Sequence, residues 1–263
     1  MSNIISNENN ENNEIMNILY GIGMPKTSSG YYNGLTEPFI KMVEVEKKMQ
    51  FSKIFTINVK YSITAIQKNI SNKNNTDESN TIQNNDIIYM GHSASIEYKE
   101  LINNMENKVK ILSHELKNHF YFKIIYSLYK FHRRFIDENN IDIEDILHNT
   151  GLYVLPKYRK HGLGKSLIQK RMERFKNKIL ISIATNSISD NIFKSCGWKK
   201  LAYISYNEVF NHYNLKNEVL NNDKISLWIY VSDDMKTKYN NINIDINEID
   251  ITNEVISNTI NIN

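Results

Sequence analysis

The apolar residues of the chain recur with two different periods, and these periods predict a mixture of strands and helices. Alternating β-branched and aromatic residues predict a strand over 55–66 and a second strand over 86–98, which we expect to pair as a hairpin. Spacings of three and four predict helices over 99–117 and 120–135. A third helix is expected over 162–177, because its apolar residues fall on one face.

The second half of the chain continues this alternation. The run KILISIA at 178–184 is almost wholly apolar, which is typical of a parallel strand buried on both faces. A short helix is predicted over 189–195, and further strands are predicted at 145–155, 201–210 and 225–232. This order of elements predicts a single domain of mixed α/β or α+β class.

Asparagine-rich polar tracts interrupt and flank these elements. They cover residues 1–14, 69–86 and 236–263, and they contain too few apolar residues to offset the entropy lost on ordering the chain. We therefore expect a disordered N-terminal tail, a surface insertion and a C-terminal tail around one domain over 15–235.

The composition of the 263 residues excludes several classes of protein. No apolar run approaches the roughly 20 residues that a membrane-spanning helix needs. The net charge of only +3 argues against a general nucleic-acid binder. The polar, acidic N-terminal sequence lacks the pattern of a secretory signal, so a cytoplasmic protein is expected.

Metal and disulfide chemistry is not expected either. Cys196 is the only cysteine, which rules out an internal disulfide and a cysteine-rich zinc site, and we interpret it as a small core residue and not as a nucleophile. His114 and His119 are five residues apart, which places them about 140° apart around a helix, whereas zinc-binding helices use a spacing of four.

The segment VLPKYRKHGLGKS at 154–166 carries the clearest chemical signal. A glycine-containing turn that opens a helix presents backbone N–H groups without intrahelical partners, and the helix dipole adds about half a positive charge at that end. Gly162 and Gly164 allow a ligand to approach the backbone closely. Positive potential is added by Arg159, Lys160, His161 and Lys165. The segment therefore predicts an anion site that suits a pyrophosphate.

Spacing separates three nucleotide-binding interpretations of this segment. A Walker loop needs a glycine five positions before its GKS sequence, but Arg159 occupies that position. A dinucleotide fingerprint needs its third glycine at Leu167. The remaining pattern is R-x-x-G-x-G at 159–164, directly after a strand.

This pattern resembles the pyrophosphate turn of the GNAT superfamily of acyl-CoA N-acyltransferases. In that family the turn is followed by a helix, a parallel strand, a short helix and a Gly-aromatic step. The counterparts here are 162–177, 178–184, 189–195 and Gly197-Trp198. The resemblance implies a GNAT fold, in which a mixed central sheet flanked by helices is splayed between its fourth and fifth strands.

Within the superfamily, the chain is most similar to the arylalkylamine N-acetyltransferase-like group. The similarity lies in the TEPFI segment at 36–40, in the long helical stretch before the turn, and in the string ATNSISDNIFKSCGW followed by LAYISYNEVF. The implied reaction is direct transfer of an acetyl group from acetyl-CoA to a small primary amine in a ternary complex, with arylalkylamines favoured.

The resemblance also implies where acetyl-CoA would bind. The exposed main chain at the end of the strand before the turn would pair with the pantetheine arm, and the backbone amides of 160–165 would take the pyrophosphate. The implied binding residues are Leu152, Tyr153, Val154, Arg159, Lys160, His161, Gly162, Leu163, Gly164 and Lys165. The side chains of Leu152 and Val154 could at the same time pack in the core.

Transfer to an amine requires a base that removes the ammonium proton, and it can use an acid that protonates the departing thiolate. Many GNAT enzymes place a tyrosine acid four residues before the glycine of the Gly-aromatic step, but this chain has Phe193 there. The resemblance to the arylalkylamine group places hydroxyl groups at Thr185 and Ser189 instead, and a base at Glu37 of TEPFI.

Other interpretations of these three residues stay open at this stage. Glu37 could be a surface carboxylate, in which case Glu97 or Asp145 is the next candidate base. Thr185 could simply end a strand, and Ser189 could be the N-cap of the helix that follows.

Two alternatives to the favoured function also stay open. The acceptor could be a polyamine or a protein amine, or the chain could bind acyl-CoA without turning it over. The sequence leaves the oligomeric state undetermined.

Overall fold

The computed structural model of the protein describes residues 63–68, 87–112, 119–214, 224–239, 242 and 247–257. The described strands are β1 (Ile63–Lys68), β2 (Ile87–Glu97), β3 (Ile146–Val154), β4 (Ile179–Ala184), β5 (Lys199–Ser205), β6 (Lys224–Tyr230) and β7 (Ile249–Asp250). The described helices are α1 (Tyr98–Ile111), α2 (Phe120–Glu138), α3 (Leu163–Arg174), α4 (Ser187–Ser195), α5 (Tyr206–His212), α6 (Asp233–Lys238) and α7 (Thr252–Ser257).

The described strands form one mixed sheet in the order β1-β2-β3-β4-β6-β5-β7. The pairs β3–β4 and β5–β7 are parallel, and the other pairs are antiparallel. β1 and β2 pair as the hairpin that the sequence predicts, and the part of the first predicted strand before Ile63 lies outside the described residues.

Helices cover both faces of the sheet. Side chains of α1, α2, α5 and α7 pack with one face, and side chains of α3 and α4 pack with the other. Ile179 and Ile181 of β4 point to the first face, whereas Leu180 points to the second. This alternation explains why the sequence of β4 is almost wholly apolar, as predicted for a strand buried on both sides.

The parallel strands β3 and β4 separate part-way along their length. They pair from Ile146 and Ile179 up to Asn149 and Ser182, after which β3 continues to Val154 with β2 as its one neighbour among the described strands. We call the last paired residues, Asn149 and Ser182, the fork, and the space between the separating strands beyond them the gap.

A β-bulge lies directly after the fork. The register between β2 and β3 shifts between Ala94 and Ser95, which leaves Thr150 as an extra residue on β3. A bulge bends its strand and increases the local twist. Thr150 therefore turns β3 away from β4 directly after the last paired residues. This confirms the expected splayed sheet, and the separating strands are the third and fourth of those described.

The prediction of a strand over 201–210 is wrong beyond Ser205, because α5 begins there. Ser205 is the N-cap of α5, and its hydroxyl accepts a hydrogen bond from the backbone N–H of Glu208 over 3.4 Å. The spacing Ser-x-x-Glu is that of a capping box. The buried residues of this helix, at helical spacing, are Tyr206, Val209 and Phe210.

Part of the C-terminal tract packs with the domain, where the sequence analysis expects a tail. β7 pairs with β5, and the backbone N–H of Ile251 donates to the carbonyl of Tyr203 over 3.0 Å. Ile251 and Val255 are 1% and 0% exposed. Two well-placed apolar residues are therefore enough to anchor this polar stretch.

Among the described residues, no helix combines the length and the apolar composition that crossing a bilayer would require.

Candidate active site

The turn between β3 and α3 has left-handed backbone at two positions. Lys160 has a φ of 66° and Gly162 a φ of 76°. This conformation costs a residue with a Cβ about 1–2 kcal/mol, so it favours glycine at position 162. Apart from Gly162 itself and its two chain neighbours, no atom of the described residues lies within 4 Å of the place where a Cβ on Gly162 would stand. The space next to this glycine is therefore open.

The N-terminal end of α3 carries backbone N–H groups that the helix itself does not use. The first helical bond runs from the N–H of Ser166 to the carbonyl of Gly162 over 3.0 Å, so the N–H groups of Leu163, Gly164 and Lys165 precede it. Within the described residues, no side chain caps this end and the first turn holds no acidic residue. Free amides and the positive end of the helix dipole together stabilise an anion.

Helix α4 supports the start of α3. A Cβ on Gly164 would stand 3.1 Å from Cδ1 of Ile192 and 3.9 Å from the side chains of Leu152 and Val154. The thiol of Cys196 lies 3.9 Å from a carbonyl oxygen in the first turn of α3. Burial raises the pKa of this thiol, which agrees with its interpretation as a packing residue.

Arg159 folds back onto the end of β3. Its Nε donates to the carbonyl oxygen of Val154 over 2.9 Å, and its guanidinium lies 5.7 Å from the ring centre of Tyr153. Arg159 thus holds the turn against the strand, although the sequence analysis assigns it to the attraction of the ligand. Exposed positive charges lie at Lys157 and Lys160 of the turn and at Lys165 in the first turn of α3, beside the exposed imidazole of His161.

Residues 127–198 match the family model described as the Acetyltransferase (GNAT) family. The matched span contains the fork, the turn, α3, β4, α4 and the Gly197-Trp198 step. Over this span, the chain matches a GNAT acetyltransferase domain. A comparison with curated proteins finds no match.

Several solved structures are similar to this GNAT domain at low identity. Arylalkylamine N-acetyltransferase 2 from Aedes aegypti is 18% identical, with a TM-score of 0.47 over 82% of this chain and 86% of that chain. A mosquito arylalkylamine N-acetyltransferase-like protein 5b is 19% identical, with a TM-score of 0.41 over 54% and 68%. The polyamine N-acetyltransferase of Drosophila melanogaster is 13% identical, with a TM-score of 0.39 over 57% and 72%. The assignment rests on the fork, the turn and the family match.

The two hydroxyl residues expected in the GNAT domain have different surroundings. Thr185 is exposed and directly follows the last residue of β4, on the gap side of the fork. Ser189 lies inside α4, and its hydroxyl donates to the backbone carbonyl of Asn186 over 3.0 Å. Asn186 is the N-cap of α4, because its side chain accepts from the N–H of Ser189 over 3.0 Å. The interpretation of Ser189 as the N-cap is therefore wrong.

The candidate bases are not brought to the gap within the described residues. Glu37 lies outside those residues. Glu97 pairs with Leu147, and Asp145 directly precedes β3, so both lie at the end of β3 away from the gap. The carboxylate of Asp145 accepts hydrogen bonds from Tyr239 over 2.5 Å and from Lys238. It therefore ties α6 to the sheet.

Phe193 lies in the core of the GNAT domain. It is 1% exposed, and its ring centre is 4.7 Å from that of Trp198 and 6.2 Å from that of Trp228. The side chain of Phe193 therefore has a packing role, which agrees with its lack of a hydroxyl group.

A buried polar network crosses three strands at the fork, and the sequence analysis missed it. Arg171 of α3 is fully buried and donates from Nε to the hydroxyl of Ser93 over 2.9 Å and from Nη1 to Ser95. Ser93 donates to Oδ1 of Asn149 over 3.1 Å, and Nδ2 of Asn149 donates to the hydroxyl of Ser182 over 3.2 Å. We call these five residues the fork network.

A signal for the network was present in the sequence. Arg171 follows Leu167 by four residues and Ile168 by three, so helical periodicity places it on the buried face of α3. A second buried group near the gap is His92, which pairs with Tyr153 across β2 and β3. Burial, together with the nearby charge of Arg171, lowers the pKa of His92 to about 4, so its imidazole is neutral at neutral pH.

Proposed function

We propose that this GNAT domain transfers the acetyl group of acetyl-CoA directly to a small primary amine, with arylalkylamines as the leading acceptor class. The observation that carries the proposal is the pairing of two features. The first feature is the N-terminus of α3, which is open and uncapped. The second is β3, the strand before it, which has no described neighbouring strand on its second edge beyond the fork.

The residues at the turn fit the diphosphate of acetyl-CoA. The amides of Leu163, Gly164 and Lys165 would donate to the phosphate oxygens, and the open space at Gly162 leaves room for them. Lys160 and Lys165 would add positive potential. His161 lies at the same exposed edge of the turn.

The gap fits the extended arm of the same molecule. Leu152, Tyr153 and Val154 have a described neighbouring strand, β2, on one side only, so the main-chain groups among them that point to the gap could pair with the arm. The carbonyl of Val154 already accepts a hydrogen bond from Nε of Arg159. The side chains of Leu152 and Val154 stay packed against Gly164 and therefore need not move. The thioester supplies the acetyl group, and the main-chain N–H groups of this strand are the donors available to its carbonyl oxygen.

The roles in proton transfer follow the resemblance to the arylalkylamine group. Glu37 is proposed as the base that takes the ammonium proton, and Thr185 as the hydroxyl acid. Ser189 is proposed as a second hydroxyl group, and its hydrogen bond to Asn186 argues against a role for it as an acid. In a Glu37→Ala variant, acetyl-CoA should still bind while turnover at neutral pH falls. Unchanged turnover would remove Glu37 from the role.

The acceptor class rests on sequence segments. The strings TEPFI and ATNSISDNIFKSCGW are similar to those of the arylalkylamine group, so an amine on a short alkyl chain with an aryl ring is preferred to a polyamine or a protein amine.

Two measurements test the proposal in sequence. Calorimetry with acetyl-CoA tests the cosubstrate site, and an absence of binding would refute it. Thiol release is then followed with tyramine, serotonin, spermidine and a peptide amine. The highest kcat/KM is expected with tyramine or serotonin, and a clear preference for spermidine or the peptide would overturn the acceptor class.

A further inference from the structure

We propose that Arg171 is a positioning residue that fixes where β3 and β4 separate and couples that point to the helix carrying the turn. The inference deepens the proposed function and rests on it for the identity of the ligand. It adds a residue outside the turn and outside the gap.

The contacts of Arg171 are divided between two places. Its backbone belongs to α3, eight residues after Leu163, and that separation corresponds to about 12 Å along a helix. Its guanidinium reaches two serines of β2, Ser93 and Ser95, on one face of the strand. This one side chain therefore adds polar contacts to the apolar packing between the sheet and the helix that carries the diphosphate amides.

The network then continues to the fork itself. Asn149 accepts from Ser93 and donates to Ser182, so its side chain links β2 to β4 across β3. Asn149 and Ser182 are also the last backbone partners before the bulge at Thr150. The network thus ends at the place where pairing ends.

A structural core alone does not call for a cation at this position. A fully buried charge is costly even when it is hydrogen-bonded, and apolar side chains of similar size often pack there without loss of stability. Burial, together with the nearby charge of Arg174, lowers the pKa of Arg171 to about 9, so the guanidinium stays charged at neutral pH. What arginine adds over an apolar residue is a planar set of donors that holds two acceptors at fixed positions.

The consequence concerns the relative position of two half-sites. The turn binds the diphosphate, and the gap binds the arm, so the whole cosubstrate fits only when both keep their spacing. Loss of the network should leave each half-site able to bind its fragment and should weaken the binding of the joined molecule.

The test compares Arg171→Met with Arg174→Met in the full chain. Arg174 is a matched control, because it lies on the same helix but is exposed. Both guanidinium groups lie near the ring of Phe175, that of Arg174 at 5.4 Å and that of Arg171 at 5.9 Å from the ring centre. Ser93→Ala is the second variant, since it interrupts the network without removing a charge. Thermal melts establish that each variant is folded.

The first readout is hydrogen exchange without ligand, over the segments 146–150 and 180–183. Arg171→Met should speed exchange there roughly tenfold or more relative to Arg174→Met, and Ser93→Ala should shift it in the same direction. Equal exchange in all variants would overturn the proposal, because the fork would then be set by the backbone alone.

The second readout is calorimetric Kd for CoA, ADP and pantetheine. Arg171→Met should weaken CoA at least tenfold and ADP less than threefold, and Arg171→Lys should fall between it and the native chain. Equal losses for CoA and ADP would overturn the coupling, since they would indicate damage to α3. A native chain that binds no CoA while Arg171→Met still speeds exchange would refute the proposed function and leave the role of Arg171 at the fork standing.

Discussion

Replacing Gly162 with alanine separates the conformational role of this glycine from its role in binding. Gly162 and Gly197 have φ values of 76° and 79°, and at neither position would a Cβ lie within 4 Å of a described residue other than the glycine and its chain neighbours. Alanine at either position should cost about 1–2 kcal/mol of unfolding free energy, because both backbones are left-handed. Gly197→Ala is therefore a matched control for stability.

The two variants should differ in their affinity for CoA. A Cβ at position 162 would project into the open space beside the amides of α3, where the diphosphate is proposed to lie. Losing one charge-assisted hydrogen bond costs about 1.5–3 kcal/mol, and each 1.4 kcal/mol is tenfold in Kd, so Gly162→Ala should weaken CoA roughly ten- to one-hundredfold. Gly197→Ala should change Kd less than about twofold. The assay is calorimetric titration of both variants, with urea unfolding alongside.

One result would refute this reasoning directly. If Gly162→Ala and Gly197→Ala lose equal stability and both bind CoA as the native chain does, the diphosphate does not lie over the turn. A much larger stability loss at Gly162 alone would show instead that the space beside it is not open.

Three further predictions follow from contacts at and near the site. Thr185→Val should lower kcat roughly tenfold or more and leave the Kd of CoA unchanged. Ser189→Ala should lower kcat less than about threefold, because the Ser189 hydroxyl is bound to Asn186. Steady-state kinetics measure both effects, and the reverse order would exchange the roles of the two residues. Asp190→Ala should lower the free energy of unfolding in urea by roughly 1–3 kcal/mol, because Asp190 accepts hydrogen bonds from Nε1 of Trp228 and from Lys200, each over 2.8 Å. Asp233→Ala, at an exposed residue, is the control. An equal loss of stability in both variants would contradict the anchoring role of Asp190. For Asp145, burial acts to raise the pKa, but hydrogen bonds from Lys238 and Tyr239 bring it below its ordinary value of 3.8. Its stabilising effect is therefore present above that pH and lost below it, so Asp145→Asn should narrow the stability difference between pH 7 and pH 3, and an unchanged difference would exclude the contact.

Much of the site could be predicted because its signals are local. The positions of the glycines indicate the conformation of the turn at 159–164, and an almost wholly apolar run indicates the burial of β4. Both features depend on neighbouring residues, so the sequence alone is sufficient to recognise them.

Other features were missed because they depend on competition or on distance. In α5, alternating apolar residues favour a strand, but the cap at Ser205 and the helical spacing of Tyr206 and Phe210 prevail. Arg171 and Ser93 are 78 positions apart, so no local pattern pairs them. Glu37 lies outside the described residues, and its role stays a prediction.

The gap has a consequence for how this protein behaves at high concentration. From Gly151 to Val154, four residues of β3 have no described strand on the gap side, a length of about 13 Å. Open sheet edges invite other chains to add strands, yet this stretch is short and lies between the start of α3 and the last backbone pair of β3 and β4. A strand of another chain could form only a few backbone hydrogen bonds with this stretch. The molecule can therefore keep main-chain groups open for a narrow ligand without polymerising through them.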